Sequence, residues 1–128
     1  MRIYQPTKHN QYILPTNLYR QMVYIVRDYD RLAEEHHEAL HTSTTLCGTR
    51  ATSGRGDPVA VKAIRRERLW REIEAVDKAL LAIPAEYRRG VARHVKYGER
   101  WPDCAHRNTW NRYKSEFLYH VAENLGKT

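Results

Sequence analysis

With 128 residues, 22 Lys and Arg against 15 Asp and Glu and a net charge of +7, the chain makes one domain, or one domain with an appended arm, around a modest core. That length leaves little room for a catalytic cleft, and a pI near 9.6 points to an acidic partner, nucleic acid before an anionic membrane surface. No apolar run approaches the roughly 20 residues of a membrane span, and MRIYQPTKHNQY has no signal-peptide core, so a soluble, unexported, cytoplasmic protein without membrane contact is expected.

The first predicted element runs from Thr16 to about His41. Leu18, Met22, Ile25, Tyr29, Leu32, His36 and Leu40 alternate in steps of four and three, which is one buried seam on one helix. Pro15 tolerates the unpaired helix start, and Thr16 offers a hydroxyl to cap the first amides. Residues 42–56, TSTTLCGTRATSGRG, have no apolar period and are rich in Ser, Thr and Gly, as a flexible linker is.

Asp57 and Pro58 read as an N-cap followed by proline in the first turn. The helix they open should reach about Ile83, with Leu69, Ile73, Val76, Leu80 and Ile83 on its seam and Lys62, Arg65, Arg66, Arg68 and Arg71 making its first half polar. This basic strip is either a solvated face or a second phosphate contact. Pro84 interrupts the pattern and starts a third helix, with Tyr87, Val91 and Val95 inward and Gly98 just past its end. After ERWPDC a last helix is predicted from about Asn108 to Leu125, burying Trp110, Tyr113, Phe117, Val121 and Leu125. No segment alternates with period two, so the expected fold class is all-α. Residues 1–45 form an N-terminal helical arm, 46–56 a linker and 57–128 a helical DNA-binding domain.

Two short motifs need weighing. His37-Glu38-Ala39-Leu40-His41 spells H-E-x-x-H, in which two histidines one helical turn apart bind zinc and the glutamate activates a water. No third ligand follows at a recognisable spacing before the linker, so the match reads as a His-rich amphipathic helix end, with at most loose zinc binding by His37 and His41. Arg55-Gly56-Asp57 spells an adhesion tripeptide but sits where a linker ends and a helix cap begins. Cys47 and Cys104 form no C-x-x-C pair and read as reduced thiols. With no nucleophile and base pair, Gly-rich phosphate loop or paired carboxylates, neither an enzyme nor a cofactor is expected.

Charge is unevenly distributed. Residues 46–71 carry 7 basic and 2 acidic side chains and residues 84–128 carry 9 and 5, whereas residues 72–83 carry 1 and 3. Two basic regions thus flank an acidic piece of helix.

The segments LPTNLYRQMVYIVRDYDRL, DPVAVKAIRRERLWREIEAVDKALLAIPAEYR and YGERWPDCAHRNTWNRYKSEFLYHVAENLG resemble the RinA-type transcriptional regulators of phages of Gram-positive bacteria. Those proteins resemble sigma-factor region 4 at their C-terminal end. The resemblance covers nearly the whole chain apart from the linker. It implies a C-terminal helix-turn-helix, double-stranded DNA as partner, activation of late phage genes, host RNA polymerase as a further candidate partner, and a place at the nucleoid of the host. The residue pattern points the same way: a helix, a turn and a second helix with polar side chains beside an aromatic seam suit a major groove. On the last helix Asn108, Thr109, Asn111, Arg112, Lys114 and Ser115 are candidate DNA contacts, Asn and Arg for base edges and Thr, Ser and Lys for phosphates. Arg88, Arg89, Arg93, Lys96, Arg100 and Arg107 are candidates for the DNA backbone. ERWPDCAHR departs from sigma region 4 in carrying Pro102 and bulky Trp101, so the motif's first helix is either reduced to a turn or displaced. A homodimer through the N-terminal helix would suit an operator. The alternative from another class is a phage packaging or assembly protein that binds DNA without reading it.

Overall fold

A computed structural model describes residues 5, 10–45 and 58–128. The described residues form five α-helices and no strand: α1 (Thr16–Arg27), α2 (Tyr29–Thr45), α3 (Pro58–Leu81), α4 (Ala85–Tyr97) and α5 (Arg107–Asn124). The all-α expectation is met. The expected linker at 46–56, the Asp57 cap, Cys47 and the Arg55-Gly56-Asp57 tripeptide lie outside the described residues, as do the side chains of Leu40 and His41.

The long first helix expected from the sequence is two helices. Helix α1 ends at Asp28, whose backbone (φ −84°, ψ −3°) still accepts from Leu32 N–H at 2.8 Å and donates to the Tyr24 carbonyl at 3.0 Å. The two halves have different partners. Tyr19, Met22, Val23 and Val26 of α1 are buried in the main core with α4 and α5, whereas Leu32 of α2 packs with Leu69 and Ile73 of α3 in a satellite cluster. The buried stripe of α1 is accordingly wider than the expected seam. Leu18 and Ile25 are only half-buried, at its margin. Pro15, not Thr16, occupies the cap position, and no side chain caps it.

Helices α2 and α3 lie antiparallel. Tyr29 pairs with Asp77, Leu32 with Ile73 and Leu69, and Glu35 with Arg65, so position advances on one helix as it recedes on the other. The seam expected on α3 is the one observed: Leu69, Ile73, Val76 and Ile83 are buried, and Leu80 packs beside them. The α-helix itself stops at Leu81, and its last turn tightens, with Ile83 N–H on the Leu80 carbonyl at 3.3 Å, before Pro84 breaks the ladder.

Helix α4 buries Val91 and Val95 and ends at Gly98, whose φ of 70° is the left-handed cap a glycine adopts without strain. Helix α5 packs against α1, α3 and α4. Its expected seam is therefore only part of its buried surface. Trp110, Phe117 and Val121 are buried as predicted, but so are Leu118 and Ala122 on the next stripe. One core thus joins α1 with α3, α4 and α5.

Candidate nucleic-acid interface at the α4–α5 junction

Residues 98–106 connect α4 to α5, a stretch longer than the turn of roughly three or four residues in a helix-turn-helix. It contains no helix and is held by a run of rings. His94 stacks on Trp101 at 3.6 Å between ring centres, Trp101 on Trp110 at 5.3 Å, Tyr87 meets Trp110 edge-on at 5.0 Å, and Tyr87 stacks on Tyr113 at 4.5 Å. The Trp110 indole N–H donates to the Pro102 carbonyl at 3.1 Å, and the His94 Nδ1–H donates to the Glu99 carbonyl at 2.6 Å. Burial holds the His94 imidazole below its ordinary pKa, and the Lys114 charge adds to the shift.

Helix α5 opens on an unexpected cap. His106 Nδ1 accepts from the Asn108 backbone N–H at 3.0 Å, satisfying one of the free amides of the first turn. The sequence hid this role because histidine is not among the usual capping residues.

Arg107, Asn108 and Arg112 are exposed at this end of α5, and Thr109 and Asn111 are half-buried beside them. The Arg112 guanidinium lies 4.9 Å from the Tyr113 ring centre and donates to its hydroxyl at 3.1 Å. From α4 and the connection, Arg89 and Arg100 are exposed, and Arg93 is tied to Glu99 through a two-point ion pair whose Nη2–Oε1 distance is 2.8 Å. Arg89, Arg93 and Arg100 line an open pocket of about 560 Å³ with Glu86, Glu99 and Trp110. Arg100 and Arg107 form no ion pair among the described residues, while the Arg89 charge, behind that of Arg93, helps hold Glu99 below the usual carboxylate range.

Four expected contact residues are placed otherwise. Ser115 is buried at 2% exposure with its hydroxyl unpaired, on the stripe of α5 that faces the core, so it cannot reach a phosphate. Lys114 is half-buried, and burial together with the nearby Arg27 charge holds its ammonium below the usual lysine range. Arg88 serves α3: Nε donates to the Leu80 and Ile83 carbonyls at 2.8 and 3.0 Å and Nη2 to Leu81 at 3.1 Å, filling acceptors that the helix end leaves open. Lys96 is largely covered, 4.1 Å from the Tyr29 ring centre and 3.4 Å from Asp30 Oδ1. Tyr97 donates to the same carboxylate, and this bond, ahead of the Lys96 charge, lowers the Asp30 pKa.

The basic strip of α3 keeps Lys62, Arg65, Arg68 and Arg71 exposed and Arg66 half-buried, with Arg65 3.7 Å from Glu35. At the H-E-x-x-H stretch His37 is exposed, while the neighbouring His36 stacks on Trp70 at 5.3 Å. Among the described residues no group of three or more His, Cys, Asp or Glu is placed to hold a metal ion, and no described helix is long and apolar enough to cross a membrane.

The fold and this surface together define an all-α protein with an arginine-bearing junction between α4 and α5. Comparison with protein-family models, curated proteins and solved structures finds no match.

Proposed function

We propose that the chain is a double-stranded DNA-binding transcriptional regulator, of the RinA-type phage class that its sequence resembles, and that it docks on DNA through the α4–α5 junction. The observation that carries this reading is the exposure of Arg89, Arg100, Arg107 and Arg112 along α4, α5 and the ring-held connection between them, in a chain of net charge +7. Arginines held in place hydrogen-bond phosphates at a fixed register, and phosphate neutralisation supplies most of the affinity of such proteins. Asn108 and Arg112 are the side chains that would reach a base edge. Activation of late phage genes alongside host RNA polymerase belongs to the same reading.

One observation favours a second reading, a packaging or assembly protein that binds DNA without reading it. Helix α5 packs on three other helices and offers little beyond its first two turns, whereas a recognition helix lays its N-terminal half in the groove.

Binding to a promoter fragment and to random DNA, measured over a salt series, separates the two. The regulator reading expects tighter binding to the promoter at every salt concentration. Equal affinity for both overturns it in favour of the second reading. Replacing Arg112 with Ala sharpens the result: discrimination falls by about 1–3 kcal/mol if the guanidinium reads a base, and binding weakens uniformly if it holds a phosphate.

A further inference from the structure

Helix α4 and the connection that follows it border the open pocket of about 560 Å³, whose walls carry three guanidinium groups. Arg89 and Arg93 stand one turn apart on α4, and Arg100 comes from the connection. The Arg93 fork holds Glu99, from Nη2 to Oε1 at 2.8 Å and from Nε to Oε2, and the Arg89 charge acts on the same carboxylate. Arg100 is exposed and forms no ion pair among the described residues. The pocket's other carboxylate, Glu86, is exposed in the first turn of α4. The base is tightly packed, since Gly90 lies against Trp110 and Pro102 with no room for a Cβ. The Glu99 backbone is held as well: Gly98 ends α4 with φ 70°, and the Glu99 carbonyl accepts from His94 Nδ1 at 2.6 Å. Only the Glu99 side chain has to swing to open the Arg93 fork.

We propose that this pocket seats one phosphate group and that Glu99 is its built-in competitor, holding Arg93 until phosphate displaces the carboxylate. Two phosphate oxygens fit a guanidinium fork in the same two-point manner as a carboxylate, so the Glu99 carboxylate stands where those oxygens would. The side chains of the pair are 48% and 42% exposed, and an ion pair so open to water contributes little and exchanges readily. Both Glu99 oxygens are taken up by Arg93. A tetrahedral phosphate turns acceptors to more sides than a planar carboxylate and can engage Arg89 and Arg100 as well. The phosphate is either a backbone phosphodiester of duplex DNA or free phosphate. For the duplex source the inference rests on the DNA-docking reading above, and the competitor then has a consequence for affinity. A phosphate arriving alone competes poorly with Glu99, whereas one already held beside the pocket by contacts at Arg107 and Arg112 acts at high local concentration. Glu99 thereby disfavours loosely docked DNA.

A double-mutant cycle on duplex binding at low salt tests it, using the wild type, Glu99→Gln, Arg93→Ala and the two together, with circular dichroism confirming the helix content of each. Glu99→Gln is expected to bind duplex several-fold tighter than the wild type, and Arg93→Ala to weaken the Glu99→Gln chain more than it weakens the wild type. Glu99→Gln that binds no tighter, or that tightens binding equally with and without Arg93, shows that Glu99 is not a competitor for Arg93 on DNA. A second arm titrates inorganic phosphate into the wild-type and Glu99→Gln chains and follows the Arg93 Nε–H signal by nuclear magnetic resonance. That signal is expected to move, at lower phosphate concentration in Glu99→Gln. Coupling in the duplex arm assigns the pocket to a backbone phosphate. If the duplex arm shows no binding or no coupling while the Arg93 signal responds to inorganic phosphate, the pocket takes free phosphate and the inference stands without the DNA source. Duplex binding with neither coupling nor a response at Arg93 overturns the inference and leaves the DNA-docking reading in place. Absence of binding in both arms overturns both.

Discussion

Gly90 of α4 lies directly against the indole of Trp110: a Cβ added there would sit 2.6 Å from Cη2 and 2.7 Å from Cζ3, with Pro102 Cγ at 3.3 Å. Trp110 is 1% exposed and anchored at its other edge by the Pro102 carbonyl, so it has nowhere to retreat. Overpacking of this kind costs about 1–3 kcal/mol, against about 1 kcal/mol gained in helix propensity. Gly90→Ala is therefore expected to lower stability in urea despite improving the helix, and to disturb the tryptophan fluorescence of the junction.

Arg88 and Arg112, both candidate DNA contacts in the sequence, should behave in opposite ways. Arg88→Ala removes donors from three carbonyls at the end of α3. Bonds from a charged donor contribute about 1.5–3 kcal/mol, so thermal unfolding should shift down clearly. Arg112→Ala, exposed and resting on Tyr113, should leave the melting temperature nearly unchanged and weaken DNA binding.

Ser115 tests the burial of α5. Its hydroxyl is enclosed and unpaired, and an unsatisfied buried polar group costs about 1–3 kcal/mol. Ser115→Ala should raise stability, helped by alanine's helix propensity, and should leave DNA affinity as it was. A loss of affinity without a change in stability would return Ser115 to the contact surface.

Tyr29 gives the fold an alkaline limit. Burial first, then its hydrogen bond to Asp77 at 2.7 Å, raise its pKa from 10.0 to about 12. The folded chain therefore binds more protons than the unfolded chain between these values. The stabilisation is complete below pH 10 and is lost as pH climbs toward about 12. Urea midpoints measured from pH 9 upward should fall over that window for the wild type and less steeply for Tyr29→Phe. At neutral pH the variant should lose about 1 kcal/mol with the Asp77 bond.

Much of the helical layout was legible in the sequence. The fours and threes of Leu69, Ile73, Val76 and Ile83 marked the buried side of α3, Pro84 its stop and Gly98 the end of α4, because periodicity and backbone chemistry are local properties. The break at Asp28 was not legible, since Tyr29 and Leu32 keep the spacing of the helix before them. What changes there is the partner helix. At the candidate site the sequence supplied the residue types and the exposed Arg107, Asn108 and Arg112, but it placed Ser115 and Lys114 outside.

The sequence by itself determined that this is a basic, all-helical chain, where α3 and α4 end, and which stripes are apolar enough to bury. Only the tertiary structure decided which cations face solvent. A periodic pattern reveals one buried face, and α5 has three neighbouring helices, so its second buried stripe, with Leu118, Ala122 and Ser115, follows from how the other helices close around it. Arg88 and Lys96 were likewise assigned by tertiary contact, one to open carbonyls at the end of α3 and the other to Tyr29 and Asp30. A charge goes to whichever partner the fold brings within reach, and no spacing along the chain encodes that distance.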